Sequence, residues 1–140
     1  MALFGRKKPT IPTRPTPVDW GRNPRGQFYK FLTFEPENAG LKGVGGVYVL
    51  WHSGVQPRWV YVGHSTDIAA DLDALADNDE VMEYNSRGGL FVTWAPIKPE
   101  YRQGVVRFLT ESMEPLIDNP KAARITEEPI PVLVPGAKAA

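Results

Sequence analysis

Cysteine is absent from this 140-residue chain, and its absence excludes disulfide scaffolds, cysteine-ligated zinc and thiol catalysis. The same absence fits a reducing compartment, and the cytoplasm is the expected location. Histidine is nearly as scarce: His52 and His64 are the only two, twelve residues apart across a turn, so a histidine metal centre is not expected. No apolar run approaches the roughly 18 residues needed to cross a bilayer. The opening Met1-Ala-Leu-Phe-Gly-Arg-Lys-Lys-Pro9 carries its charges after a short apolar patch, unlike a secretory leader. Net charge is missing too. With 16 Lys and Arg against 16 Asp and Glu, the uniformly basic surface of a dedicated nucleic-acid binder is not expected.

The charges that are present are unevenly spread. Residues 1–30 hold Arg6, Lys7, Lys8, Arg14, Arg22, Arg25 and Lys30 against Asp19 alone, a net of +6. Residues 67–83 hold Asp67, Asp71, Asp73, Asp77, Asp79, Glu80 and Glu83 with no cation, a net of −7. The basic block is interleaved with aromatic side chains, a pattern suited to phosphates and stacked bases. It is equally suited to folding over an acidic helix, of this chain or a neighbouring copy, or to attachment to a larger assembly. The acidic run lacks the alternating Asp-x-Asp-x-Asp-Gly pattern of a calcium loop and reads as a solvated helix face or a docking patch for a basic surface.

The organisation follows from breakers and periodicity. Residues 1–19 are a basic arm in which Pro9, Pro12, Pro15 and Pro17 favour extended, polyproline-like chain, and residues 20–42 are an aromatic and basic lead-in. Residues 43–120 form the domain proper, and residues 121–140, with Pro129, Pro131 and Pro135, are a second extended arm. Within the domain, Val47–Trp51 and Trp59–Val62 read as an antiparallel hairpin and Leu90–Trp94 as a third strand. Ser65-Thr66-Asp67 supplies a helix cap, and Ile68, Leu72 and Leu75 make one apolar face of the helix that follows. A second helix is expected from about Glu100, with Val105, Leu109, Met113 and Leu116 on its apolar face and Pro115 kinking or dividing it. The expected fold class is α+β: a small antiparallel three-stranded sheet flanked by helices, with extended Pro-rich terminal arms.

Gly46-Val47-Tyr48 on one strand, Tyr61-Val62-Gly63 on the next, and His64-Ser65-Thr66-Asp67-Ile68 at a helix start resemble the GIY-YIG nuclease superfamily, over roughly residues 43–120. The resemblance implies that Tyr48 and Tyr61 flank a scissile phosphate, with Gly46, Gly63 and His64 completing the motif. It also implies an arginine on the first helix and, on a later helix, a glutamate holding a divalent metal. Such chemistry needs a cation to absorb developing charge and an oriented base to activate water.

Two positions depart from the family pattern. The arginine position, eight residues after Gly63, is occupied by Asp71. A carboxylate about 5 Å from a phosphate, at an effective dielectric near 20, is repelled by on the order of 3 kcal/mol. The glutamate position falls on Glu111 when counted back from Pro120 and on Met113 when aligned on Leu116-Ile117, with Glu114 beside them. The family's asparagine is also displaced, with Asn119 as its stand-in. The expectation is therefore a non-catalytic GIY-YIG-like binding or assembly module without cofactor, in which Tyr48, Tyr61 and Glu111 are remnants. It would dock a protein partner, with DNA less favoured and a homo-oligomer compatible, through the basic arm (Arg6, Lys7, Lys8, Arg14, Arg22, Arg25) and the acidic helix (Asp67, Asp71, Asp73, Asp77). The alternative is a Mg- or Mn-dependent DNA endonuclease in which Arg87, Arg102 or Arg107 replaces the arginine and Glu111 binds the metal.

Overall fold

Backbone groups in an apolar run must find partners away from water, and here they find them in a four-stranded sheet rather than the three-stranded one expected. The computed structural model describes residues 14–54 and 58–137. Its strands are β1 (Tyr29–Lys30), β2 (Gly46–His52), β3 (Arg58–Ser65) and β4 (Leu90–Pro96), antiparallel throughout in the order β1-β4-β2-β3. The additional strand is only two residues long, too short for a period-two pattern to mark it in the sequence.

Where β4 extends past the short β1, and along part of β3, irregular segments take up the edge backbone groups, which limits edge-to-edge pairing. Beyond β1, the Gly21 N–H donates to the Trp94 carbonyl and the Thr93 hydroxyl donates to the Gly21 carbonyl, both at 2.8 Å. Along β3, the N–H groups of Leu116 and Ile117 donate to the carbonyls of Trp59 and Val60, and the Asn119 side-chain amide donates to Val62.

Alternation along the strands sends side chains into two separate cores. One face carries Tyr48, Leu50, Val60, Val92 and Trp94, and packs on Ile68, Ala69, Leu72 and Leu75 of α1 (Ile68–Ala76). The apolar face expected for α1 is thus the buried one, and Asp67 caps it by accepting from the Ala70 N–H. A second short helix, α2 (Asp79–Glu83), follows, capped by Asn78. The −7 run is therefore two helices. Asp67 is a cap, Asp79 and Glu80 occupy the first turn of α2 where the dipole favours anions, and Glu83 pairs with Arg87. The other sheet face carries Val47, Val49, Val62 and Ala95, packed on Val105, Val106, Leu109 and Met113 of α3 (Pro99–Met113).

α3 is shorter than its periodicity predicts. Glu114 takes the left-handed conformation (φ 48°) common at helix C-termini, its N–H donating to the Thr110 carbonyl, and the following Pro115 disfavours a further helical turn. Pro115 thus ends the helix rather than kinking it, and Leu116 leaves the helix face to close the edge of β3.

The described parts of both terminal arms pack against the same body as the sheet and helices. Thr16 and Val132 form a parallel bridge, the Trp20 indole N–H donates to the Leu133 carbonyl at 2.8 Å, and Ile130 bonds to the Gly104 carbonyl. Trp20 and Val132 are buried in the core beneath α3, on the opposite face from the acidic helix α1. Arg6, Lys7 and Lys8 lie outside the described residues. Among the described residues, no helix is long and apolar enough to cross a membrane.

Candidate functional site

The two motif tyrosines lie on neighbouring strands of the α1 face. Tyr48 opposes Gly63 and Leu50 opposes Tyr61, so the rings sit diagonally, 6.2 Å apart between centroids and 13° from parallel. The motif glycines have packing reasons of their own. A Cβ on Gly63 would stand 2.5 Å from the Tyr48 hydroxyl oxygen, and one on Gly46 would be driven into the Ala95 carbonyl.

Asp71 reaches into this pair from the first turn of α1. Its Oδ2 accepts from the Tyr48 hydroxyl and its Oδ1 from the Ser65 hydroxyl, both at 2.8 Å, while Ser65 Oγ also accepts from the Asp67 N–H. The carboxylate thus occupies the position where the resemblance expects an arginine, and it is already hydrogen-bonded on both oxygens. Burial, and then the charge and hydrogen bond of Asp71, push the Tyr48 phenol far above its ordinary pKa of 10.0. Burial and Asp71 raise Tyr61 too. A general base needs the opposite shift. The Tyr48 hydroxyl donates to the Asp71 carboxylate, and both burial and that contact favour its protonated form.

The candidates for the metal position are placed elsewhere. Met113 is buried in the core on the other face of the sheet. Glu111 is exposed and pairs with Arg107 at 3.3 Å, and Glu114 is exposed at the end of α3. Among the described residues, no three His, Asp or Glu side chains gather closely enough to hold a metal ion. The proposed replacement arginines are occupied as well. Arg87 pairs with Glu83 and lies over the Tyr84 ring, Arg107 also donates to the Glu127 carbonyl, and Arg102 donates to Ile97 and packs on Gly45.

His64 pairs with Val47 in register, next to the α3 face. Burial, then the cations Lys121 and Arg102, lower its pKa below 6.5, opposed by Asp71 and Glu127. Of the acidic patch, Asp67 and Asp71 have structural partners, while Asp73 and Asp77 are exposed. Of the basic residues, Arg22 lies over the Phe28 ring with its guanidinium carbon 4.0 Å from the centroid, and Arg14 and Arg25 are exposed.

A second constellation escaped the sequence reading. Lys30, Phe91, Trp51 and Trp59 are successive register partners across all four strands. The row lies on the α3 face, at the end of the sheet away from Gly46. Trp51 and Trp59 both belong to strands that composition predicts. What puts them on one face is a β-bulge between Leu50 and Trp51, where β3 carries Val60 as an extra residue.

No family model matches the chain, and comparison with curated proteins and with solved structures gives no significant match.

Proposed function

We propose that the chain is a GIY-YIG-like module without phosphodiesterase chemistry, whose work is to dock a partner. The observation that carries this reading is Asp71, whose carboxylate accepts from both Tyr48 and Ser65 at 2.8 Å. A phosphate approaching the tyrosines would meet a negative charge rather than a cation, and the Tyr48 hydroxyl already donates to that charge. The glycines, the cap and the tyrosine pair retain their packing roles after the catalytic ones are gone.

The test is a nicking assay on supercoiled plasmid with Mg or Mn at millimolar concentration. The expected result is no nicking above background. Metal-dependent nicking that disappears in Tyr48→Phe or Glu111→Ala would overturn the proposal in favour of a rearranged endonuclease.

A further inference from the structure

We propose that the aromatic row on the α3 face of the sheet is a binding surface for single-stranded nucleic acid, with bases stacked on Trp51 and Phe91 and phosphates held by Lys30, Arg22 and Arg25. The inference rests on the reading of the chain as a docking module and names the partner's chemistry.

Its first support is geometric. Phe91 and Trp51 are cross-strand partners with centroids 5.9 Å apart and planes 16° apart, and Trp59 lies 5.7 Å beyond Trp51. Phe28 and Trp51 are perpendicular with centroids 4.9 Å apart, and the Arg22 guanidinium lies over the Phe28 ring. None of Phe28, Trp51, Trp59 and Phe91 is fully buried. Beside them opens a cavity of about 520 Å³, lined by Phe28, Tyr29, Trp51 and Phe91 and by the polar side chains of Asn23, Gln27 and Lys30 among others. That size lies within the roughly 300–1,000 Å³ of small-molecule sites, enough for a base with its sugar.

The second support is charge. The cavity lining contains a lysine and no carboxylate; Arg25 lies in the Asn23–Gln27 turn at its rim, and Arg22, just before that turn, donates to the Gly26 carbonyl. An aromatic platform flanked by cations, with amide side chains at its edge, matches the alternation of base and phosphate along a single strand. Duplex DNA keeps its base faces stacked and offers only phosphates to such a wall. The surface is also distinct from the tyrosine site, which lies on the other face of the sheet.

The experiment uses the full chain with fluorescein-labelled oligothymidylate and oligouridylate twelve-mers in EDTA, read by anisotropy and by quenching of tryptophan fluorescence. Expected are saturable binding with quenching, about ten-fold or greater weakening in Trp51→Ala, and several-fold weakening in Lys30→Glu, an exposed position whose loss also lowers the salt dependence by about one ion. Because Trp51→Ala disturbs packing, Lys30→Glu and Arg25→Glu carry the test if that variant fails to fold. Absence of binding at low salt would overturn the surface while leaving the docking-module reading intact. Equal binding of a duplex, or binding indifferent to all three variants, would overturn it as well. Cleavage of the same oligonucleotides on adding Mg would instead defeat the non-catalytic reading, with the EDTA data still deciding the surface.

Discussion

The two faces of one sheet differ in how completely they are closed. On the α1 face, Tyr48 is 3% exposed, its hydroxyl is tied to Asp71, and Asp71 is tied in turn to Ser65 at the end of β3. On the α3 face, the helix covers Val47, Val49 and Val62, yet the row of Phe91, Trp51 and Trp59 beyond them is only partly buried. A polar network with every member paired rigidifies a fold and leaves nothing to offer a ligand. A half-covered aromatic row leaves apolar surface whose burial is still to be gained. Tyr48 is thus closed off, Tyr61 beside it is half-buried, and the aromatic row on the opposite face keeps part of its surface open.

Point substitutions on the closed face test this difference directly. The largest expected effect is from Gly63→Ala, which forces a methyl into a Tyr48 ring that Asp71 holds in place; about 3 kcal/mol of stability should be lost, read as a lower urea midpoint at unchanged slope. A loss under about 1 kcal/mol would mean that the tyrosine face is looser than its geometry indicates. Next is Asp71→Ala, which strands two hydroxyl donors and should cost about 2 kcal/mol, whereas Asp71→Asn, retaining an acceptor oxygen, should cost less. Equal losses for the two would show that the pairing contributes little.

A smaller effect appears in alkali. Tyr48 and Tyr61 have folded pKa values above 10.0, so between pH 10 and the folded values the unfolded chain binds fewer protons and stability falls as pH rises. Tyr48→Phe should flatten that fall, monitored by thermal unfolding from pH 8 to 11. The smallest is His64, whose folded pKa lies below 6.5. Its contribution is present above pH 6.5 and is lost as pH falls through the folded value, and His64→Gln should remove that part of the acid slope.

Much of this fold can be read from the residues. Val47–Trp51 and Trp59–Val62 announce their hairpin by composition, and Ile68, Leu72 and Leu75 mark the buried side of α1 by spacing. The place of Asp71 at the margin of that face follows from the same helical arithmetic, so its intrusion on the tyrosines was foreseeable. Other features were not legible because they depend on distant partners. β1 exists only because Tyr29 and Lys30 meet Val92 and Phe91. Thr16 and Leu133 carry no local sign that they will pair across more than a hundred residues. The basic and acidic blocks suggested mutual attraction through their net charges. Packing instead seats the described N-terminal segment under α3, since burying Trp20 and Val132 outweighs a screened interaction between exposed charges.

Sequence alone determined the two sets of alternating side chains, the glycines that let Tyr48 lie flat on its neighbour, and the carboxylate at the arginine position. These are properties of residue type and short-range period, and any sheet built from the chain carries them. Which aromatics share a face depends instead on strand pairing. Tyr61 and Trp59 are two residues apart and would point the same way on a regular strand, but the bulge at Val60 turns Trp59 across to join Trp51 and Phe91. Register is a property of two strands at once, and no single run of residues contains it.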